Sequence, residues 1–312
     1  MTDESVNEDH RMKMYVSLDI GGTAIKYGLI SDSAEIIFKG STKTEAEKGG
    51  PEILKKVIGI VEDLLTRTQD TVSGICISTA GMVDTKEGSI FYASPLIPNY
   101  AGIQYKKILE ERFHIPCEVE NDVNCAGLAG IQLRCGKGKP HCPDPYGWGT
   151  GIGGCIVIDG KVFRGFGNSA CEVGYMHMGD SDFQTLGAAS ILVKRVAAAK
   201  EEPEAQWNGY RIFQLAGEGD PICKEAIDQM CDCLGKGISN ICYVLNPQIV
   251  VLGGGIMAQE EYLRPRLEKA LARYLVSSIY EKTELAFARH QNDAGMLGAY
   301  YHFLERQGKA RS

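Results

Sequence analysis

The chain has 312 residues, of which 44% are hydrophobic and 23% charged, and a formal net charge of −7. These values are typical of a globular protein and exclude a disordered one, and the length suits two domains of ordinary size. The acidic balance argues against a nucleic-acid partner, since contacts to phosphate need an excess of lysine and arginine.

The N-terminus is polar and acidic, and we expect residues 1–12 to form a disordered tail. It contains no apolar core of the kind that a signal peptide requires. Elsewhere no apolar run approaches the roughly 18–20 residues that span a bilayer. The sequence therefore predicts a cytoplasmic protein that does not contact membranes.

The 11 cysteines are an odd number, and most lie in apolar or helical contexts, which favours buried, reduced thiols. One loop carries three potential metal ligands, Cys135, His141 and Cys142. Tetrahedral zinc requires a fourth ligand, and no paired-cysteine spacing supplies one. We therefore expect no structural zinc, and the role of this loop stays open.

In the first half of the chain, short apolar runs alternate with stretches of helical periodicity. The predicted strands are 14–20, 25–31, 35–42, 74–78 and 115–120. The predicted helices are 51–67, 103–113 and about 123–132, with a proline-rich loop over 94–102. This alternation is typical of an α/β fold.

The second half begins with a strand, a turn and a strand over 148–163, with Asp159-Gly160 as the hairpin turn. Further helices are predicted over 185–200, 219–243, 259–276 and 293–306, and a strand over 248–255. Residues 18–32 and 148–160 share a glycine- and threonine-rich turn that leads into an apolar strand ending at aspartate. This internal similarity favours a duplicated fold that closes on one ligand, although glycine turns between strands are common.

The stretch VSLDIGGTAIKYGLI (16–30) places an acid at the end of an apolar run, followed by Gly21, Gly22 and Thr23. Glycine permits a left-handed backbone and lets phosphate oxygens approach the main-chain amides, and threonine adds a hydroxyl donor. The acid, Asp19, is of the type that holds Mg²⁺ directly or through water. A β-hairpin turn with a capping aspartate explains the same residues, and the loop matches neither GxGxxG nor a P-loop.

Two more glycine-rich loops follow strand-like runs. One contains Gly149, Thr150 and Gly151, and the other contains Gly253, Gly254 and Gly255. A single glycine loop indicates little, but three at strand ends favour a nucleotide site over simple turns.

VENDVN (119–124) places Asn121 and Asp122 between a strand and the following helix. In phosphoryl transfer to an alcohol, the protein mainly positions the reactants while one carboxylate accepts the hydroxyl proton. Asp122 suits that role, and Asn121 could orient the substrate hydroxyls. Helix N-capping, which asparagine and aspartate also do well, is the alternative.

GNSACEVGYMHM (167–178) places Glu172 among small residues, with Tyr175 three positions later. A buried acid among small residues suits bidentate binding of sugar hydroxyls.

Together these pieces resemble the ROK family of bacterial sugar kinases and repressors, over about residues 14–306. The matching segments are DIGGTAIKYGLI (19–30), STAGMVDTKEGSI (78–90), ENDVNCAGLAG (120–130), GTGIGGCIVIDGKVFRG (149–165) and CEVGYM (171–176). The resemblance implies an α/β, actin-like (ribonuclease H-like) two-domain ATPase fold with an interdomain cleft. It implies a small N-terminal α/β domain over 13–122 plus about 291–312, and a larger C-terminal α/β domain over 123–290.

The resemblance also implies roles for single residues. Asp122 would be the catalytic base, and Asn121, Glu172 and Tyr175 would bind the sugar. The implied nucleotide-binding residues are Asp19, Gly21, Gly22, Thr23, Lys26, Gly149, Thr150, Gly151, Gly253, Gly254 and Gly255. ATP and Mg²⁺, with Asp19 as a possible Mg²⁺ ligand, are the implied cofactors, and a homodimer is expected because family members are commonly dimers.

Three departures from the family pattern bear on the substrate. Tyr175 stands where many members have a histidine that binds zinc and sugar, and 179–190 lacks the cysteines of the family's zinc motif and its closing glutamate. The loop that usually reads Asn-Leu-Pro-Gly-Trp is Leu96-Ile97-Pro98-Asn99-Tyr100 here. These changes resemble a zinc-free subgroup that includes β-glucoside kinases.

The predicted activity is ATP-dependent phosphorylation of a hexose or hexoside hydroxyl, O6 of glucose or of a β-glucoside. N-acetylmannosamine and fructose remain alternative substrates. A non-catalytic sugar sensor is the alternative of another class. A repressor of the same family is disfavoured, because only 18 residues precede Asp19 and a helix-turn-helix domain does not fit there.

Overall fold

The structure, a computed structural model, describes residues 12–93, 97–134, 152–288 and 293–308. Residues 131–134 are described by their backbone alone. The predicted phosphate-binding residues Gly149, Thr150 and Gly151 lie outside the described residues. So do the loop with Cys135, His141 and Cys142, and all but the last residue of the predicted tail.

The chain divides into two compact units. Unit 1 comprises Met1–Cys125 and Gly295–Ser312, and unit 2 comprises Ala126–Ala294. Both boundaries fall inside helices that continue across them.

Unit 1 is built on a five-stranded sheet of order β3-β2-β1-β4-β7. Its strands are β1 (Lys13–Ile20), β2 (Ala24–Ser31), β3 (Ile36–Lys43), β4 (Thr71–Thr79), β5 (Met82–Asp84), β6 (Ser89–Tyr92) and β7 (Cys117–Asn121). Its helices are α1 (Gly50–Thr66), α2 (Tyr105–Phe113), the start of α3 (Asp122–Arg134) and, at the C-terminal end, α10 (Ala294–Arg306). Strands β1, β2 and β3 pair antiparallel, while β1, β4 and β7 run parallel.

Burial follows the position of each element in the sheet. The central strand β1 is buried at almost every position, as expected for a parallel strand covered on both faces. The edge strand β3 alternates between half-buried and exposed residues over most of its length. Helix α1 begins with proline in its first turn and buries one stripe made of Ile53, Val57, Val61 and Leu64.

The carboxyl ends of the three parallel strands meet at one edge of this sheet. Asp19 of β1 is paired in register with Ser78 of β4, and Ser78 is paired with Glu120 of β7. One residue further along, Thr79 is paired with Asn121. Polar residues that are far apart in sequence are therefore adjacent at this edge.

Unit 2 is mainly helical. Its strands are β8 (Val157–Ile158), β9 (Lys161–Val162), β10 (His177–Met178), β11 (Ser181–Asp182), β12 (Ile249–Leu252) and β13 (Glu284–Phe287). Its helices are the rest of α3, α4 (Phe183–Gly187), α5 (Ala189–Ala199), α6 (Gly209–Glu218), α7 (Pro221–Leu245), α8 (Glu260–Tyr274) and α9 (Ser277–Tyr280). The fully buried α7 residues Leu234 and Cys242 belong to its hydrophobic core, and β12 pairs parallel with β13. Among the described residues, no helix is long and apolar enough to cross a membrane.

Two sequence expectations in unit 2 need correction. The strand predicted over 248–255 ends at Leu252, because the three glycines that follow leave the strand conformation and Gly255 starts a 3₁₀ turn. The helix predicted over 185–200 is split at Ala188, which has an extended backbone. Helix α6 and strand β13 were not predicted.

Candidate active site

Asp19 ends the central strand of unit 1 with its carboxylate largely enclosed. The hydroxyl of Ser78, on the neighbouring strand, donates a 2.8 Å hydrogen bond to Oδ1 of Asp19. Burial raises the pKa of Asp19, while this hydrogen bond and the charge of Lys26 act in the opposite direction. Lys26 is the residue paired with Asp19 across the β1–β2 hairpin. A cation beside Asp19 would offset the cost of keeping its carboxylate ionised.

The turn between β1 and β2 contains Gly21, Gly22 and Thr23. The amide of Gly21 donates to the carbonyl of Ala24 at 3.0 Å, which closes the turn. Neither glycine has a positive φ, so the left-handed backbone that glycine permits is not used here. A Cβ placed on Gly22 would meet nothing within 4 Å, and the residue is exposed. The open space over Gly22 is what a group approaching the main chain would need.

Thr44, which follows β3, stabilises this turn through two hydrogen bonds. Its hydroxyl donates to the carbonyl of Gly21 at 2.6 Å, and its amide donates to the carbonyl of Thr23 at 3.0 Å. Thr44 is fully buried. Sequence reasoning missed this residue, because no local pattern marks a threonine 21 positions after the loop that it supports.

Asn121 and Asp122 lie where β7 passes into α3. Oδ1 of Asn121 accepts hydrogen bonds from the amides of Val123 and Asn124, at 2.9 and 3.2 Å, and so caps the helix. Nδ2 of Asn121 donates to Oδ1 of Asp122 at 3.0 Å and to the carbonyl of Gly81 at 2.9 Å. Asp122 is half-buried in the first turn of the helix, where the macrodipole favours the ionised carboxylate.

A chain of buried hydroxyls lies next to this pair. The side chain of Thr79 is hydrogen-bonded to the hydroxyl of Tyr100, which also accepts a 3.2 Å hydrogen bond from Tyr105. Burial raises the pKa of Tyr100 to about 12, and the charge of Asp122 acts in the same direction. The aromatic position at 100 was visible in the sequence as the end of the Leu-Ile-Pro-Asn-Tyr loop, but its contact with Thr79 was not.

Glu172 and Tyr175 lie in unit 2, on a tight turn. The carbonyl of Glu172 accepts a 3.2 Å hydrogen bond from the amide of Tyr175. This turn packs closely on the preceding segment, since a Cβ on Gly174 would lie 2.3 Å from the carbonyl oxygen of Ile152. Burial raises the pKa of Glu172, whereas the Tyr175 side chain is 59% exposed.

The glycine triplet follows β12, and its last residue, Gly255, lines a cavity in unit 2. Gly253 is buried, and Gly254 has a φ of 104°, which strongly favours glycine. A Cβ on Gly255 would meet nothing within 4 Å. Gly255 lines a cavity of about 650 Å³, a size usual for small-molecule sites, which is enclosed by residues of α5, α6 and the turn after β12.

Trp207, Asn208 and Tyr210 line this cavity and were not predicted as site residues. Trp207 is 6% exposed, and its indole Nε1–H finds no hydrogen-bond acceptor among the described residues. Asn208 caps α6 by accepting from the amide of Arg211. The Asn-Gly start of a helix could have been found in the sequence, but the cavity depends on packing between elements that are distant along the chain.

The described residues hold no cluster of three or more His, Cys, Asp or Glu side chains that suits a metal ion. Mg²⁺ does not require such a cluster, since it is usually held by one or two carboxylates and by the phosphates of its nucleotide. The largely enclosed carboxylate of Asp19, three residues before the exposed Gly22, fits that mode of binding.

The fold of this chain is similar to those of solved structures. A ROK hexokinase from Thermus thermophilus is 28% identical, with a TM-score of 0.80 over 95% of this chain and 99% of that one. The chain thus has the actin-like ATPase fold, and the predicted fold class is confirmed.

The ROK family model matches residues 15–306, so this chain belongs to the ROK family, as the sequence motifs predicted. An uncharacterised protein from Clostridium perfringens is 49% identical over 298 residues, covering 96% of this chain and all of that protein. A β-glucoside kinase from Listeria innocua is 31% identical over 304 residues, covering 94% of this chain and 98% of the kinase.

Proposed function

We propose that this protein is a sugar kinase that transfers the γ-phosphoryl group of ATP to a hexose or hexoside, at O6 of glucose or of a β-glucoside. The observation that carries the proposal is Asp122, a half-buried carboxylate at the start of α3 whose Oδ1 accepts a hydrogen bond from Asn121. The similarity to a β-glucoside kinase supports the choice of substrate class.

In the proposed reaction, Asp122 accepts the proton of the attacking hydroxyl. The sugar oxygen forms a bond to the γ-phosphorus while the bond from that phosphorus to the β,γ-bridging oxygen breaks, which releases ADP. Such a transfer depends on positioning and on stabilising charge more than on covalent chemistry. The helix start favours an ionised Asp122, the form that can accept a proton.

Each unit holds residues that are proposed to contact the nucleotide. In unit 1, the open main chain at Gly22 and the hydroxyl of Thr23 would contact phosphate oxygens, with Asp19 holding Mg²⁺ directly or through water. Mg²⁺ would supply charge neutralisation for the phosphates. In unit 2, the cavity of about 650 Å³ beside Gly255 would take the nucleoside, and Trp207 offers a buried N–H donor there.

The sugar hydroxyls are assigned to Glu172, with Tyr175 beside it. Ionised carboxylates accept strong hydrogen bonds from hydroxyl groups. Burial makes ionisation of Glu172 costly, and donors on a sugar would offset that cost.

The test is ADP release by the purified protein, coupled to NADH oxidation, across a panel of sugars. The panel contains glucose, methyl β-glucoside, cellobiose, N-acetylmannosamine and fructose. We expect glucose or a β-glucoside to give the highest kcat/KM. With 6-deoxyglucose, which lacks the O6 hydroxyl, we expect competitive inhibition without ADP release.

Calorimetric titration of the same preparation with ATP and with each sugar separates the alternatives. If a sugar binds but none stimulates ADP release, the chain is a sugar sensor and the kinase proposal is wrong. If N-acetylmannosamine or fructose is preferred, the phosphoryl transfer stands and the substrate assignment is wrong.

A further inference from the structure

The C-terminal helix α10 lies directly against the strand that carries Asp19. A Cβ placed on Gly295 would lie 2.3 Å from Cγ of Asp19 and 2.4 Å from its Oδ1. These separations are far below a van der Waals contact, so position 295 has room for hydrogen alone while the carboxylate keeps its present position. The Asp19 carboxylate therefore rests on the backbone of α10.

The same helix touches the first turn of α3. A Cβ on Gly298 would lie 1.7 Å from the carbonyl oxygen of Cys125, so the two helix backbones are in contact there. On β1, two residues before Asp19, the hydroxyl of Ser17 donates a 2.8 Å hydrogen bond to the carbonyl of Met296. Helix α10 is thus held against both the sheet and α3.

One turn further along, His302 reaches the acid that precedes the Asn121–Asp122 pair. His302 is fully buried and Glu120 is 1% exposed, with 3.6 Å between Nδ1 of His302 and Oε2 of Glu120. This separation is longer than a hydrogen bond, so the two buried side chains are close neighbours that are not hydrogen-bonded through these two atoms. Residues 295, 298 and 302 have the i, i+3, i+7 spacing of a single helix face.

Glu120 also contacts the start of α3. Its Oε1 accepts hydrogen bonds from the amide of Asn121 at 2.8 Å and from Nδ2 of Asn124 at 3.1 Å. Because Asn121 in turn donates to Asp122, a continuous series of contacts links His302 to that carboxylate.

We propose that α10 is the positioning element for both acids of the site. Gly295 fixes the orientation of the Asp19 carboxylate, and His302, acting through Glu120 and Asn121, fixes the orientation of Asp122. Neither Gly295 nor His302 is assigned a contact with substrate, so both are positioning residues. The proposal rests on the proposed kinase function, and its tests are run beside the wild-type assay.

The first variant is Gly295→Ala. The added methyl group meets the free end of the Asp19 side chain, which can rotate away, so the protein is expected to fold while Asp19 loses its orientation and its hydrogen bond from Ser78. The measurement is the calorimetric affinity for ADP with and without Mg²⁺, which needs no turnover. We expect affinity for Mg–ADP to fall about tenfold, with affinity for metal-free ADP within about twofold of wild type.

The matched control for Gly295→Ala is Gly59→Ala, which adds a methyl group at an exposed position of α1 with nothing within 4 Å. It is expected to leave both affinities unchanged. An unchanged Mg–ADP affinity in the Gly295→Ala protein would overturn the role assigned to Gly295. Failure of that protein to fold would do the same, because the carboxylate would then be unable to yield as proposed.

The second variant pair is His302→Leu and His302→Gln. We expect His302→Leu to lower kcat about tenfold or more, with KM for sugar and ATP within about threefold of wild type, because only the orientation of the base is disturbed. His302→Gln keeps an N–H donor that can face Glu120 and should recover most of kcat. Values of kcat are normalised to the number of nucleotide-binding sites found by titration, so that misfolded protein does not count.

Tyr300→Phe is the control on the same helix. It removes the 3.0 Å hydrogen bond from the Tyr300 hydroxyl to the carbonyl of Asp32, away from both acids, and should lower stability without changing kcat. If His302→Leu does not fold, Asn124→Ala takes its place, since it removes the side-chain donor from Glu120. A kcat within twofold of wild type in the folded His302→Leu protein, or in Asn124→Ala if His302→Leu does not fold, overturns the positioning of Asp122 through Glu120.

The wild-type protein separates this proposal from the kinase proposal. Absence of sugar-stimulated ADP release in wild type is a failure of the kinase proposal. An active wild type with unaffected Gly295 and His302 variants is a failure of the positioning proposal alone.

Discussion

Nδ2 of Asn121 donates a hydrogen bond to Oδ1 of Asp122 at 3.0 Å, while Oδ1 of Asn121 caps the helix that begins at Asp122. The capping and chemical interpretations of this sequence are therefore compatible, because different atoms of one side chain serve each. Both Nδ2 hydrogens of Asn121 are used within the protein, since the second bonds to the carbonyl of Gly81. The orientation of Asp122 is thus tied to the fold of unit 1.

The first prediction concerns Asp122→Asn. The variant keeps the size of the side chain and an oxygen that can accept from Asn121, so we expect normal folding and sugar binding. It removes the group that accepts the proton, and general-base catalysis is typically worth ~10²–10⁴-fold. We expect kcat to fall by that factor in the coupled ADP assay, with little change in sugar affinity measured by titration. A variant that keeps more than about a tenth of wild-type kcat would show that Asp122 is not the base.

The second prediction separates two roles of Asn121. Serine is as good a helix cap as asparagine, so Asn121→Ser keeps the cap but loses both Nδ2 donors, at a cost to stability of roughly 1 kcal/mol. If Asn121 orients Asp122, kcat falls while KM for sugar changes little. If Asn121 binds the sugar, KM rises instead.

The measurement is steady-state kinetics with the best sugar of the panel, beside urea unfolding of both proteins. A stability loss well above 2 kcal/mol would indicate that serine does not cap α3, and Asn121→Asp, which retains a capping oxygen, would then be compared.

The edge of the sheet could be predicted from sequence to a useful extent. Apolar runs that end at Asp19 and Glu120 predicted two of the strands, and strand ends are where polar side chains can leave the core. The local sequence pattern does not predict the register in which these strands pair. The pairing of Asp19 with Ser78, and of Thr79 with Asn121, depends on how three separate strands align.

The residues that were missed share long sequence separations. Thr44 supports a turn 21 positions earlier, and the contact of Gly295 with Asp19 joins the two ends of the chain. A single sequence has no periodic signal for such contacts. Gly22 differs from these residues, since the sequence analysis identified it as a candidate site residue, and the structure shows that it does not use the positive φ that glycine permits. The φ of Gly22 is not positive, so another residue type could adopt the same backbone conformation, and conformation does not explain why this residue is glycine.

The third prediction follows from that finding and concerns Gly22→Ala. Nothing within 4 Å opposes a methyl group and φ is not positive, so the protein should fold with near wild-type stability. If phosphate oxygens approach this amide, the methyl group obstructs them, and KM for ATP should rise about tenfold or more while KM for sugar stays within about twofold.

The control for the Gly22 experiment is again Gly59→Ala, which lies in a helix and should stabilise the protein by about 0.5–1 kcal/mol without a kinetic effect. An unchanged KM for ATP in a folded Gly22→Ala protein would mean that the β1–β2 turn does not contact phosphate.

The fourth prediction uses the raised pKa of Glu172. Its ordinary pKa is 4.5, and burial raises it in the folded state, so between 4.5 and the raised value the native state binds more protons than the unfolded state. The contribution of Glu172 to wild-type stability therefore falls as pH rises through this window and then levels off. Glu172→Gln removes the titration, so the variant should be more stable than wild type at pH 7, with the difference disappearing below pH 4.5.

The measurement for Glu172 is urea unfolding of both proteins from pH 4 to pH 8, with Glu87→Gln, at an exposed position, as the control for removing one negative charge. The kinase proposal adds a second expectation for Glu172→Gln, a higher KM for sugar, because a neutral amide accepts weaker hydrogen bonds from hydroxyls than a carboxylate does. If Glu172→Gln is more stable at pH 7 but binds sugar less well, the carboxylate of Glu172 contributes to sugar binding and lowers the stability of the fold. A variant that is less stable at pH 7 would instead mean that the charge of Glu172 is compensated within the fold.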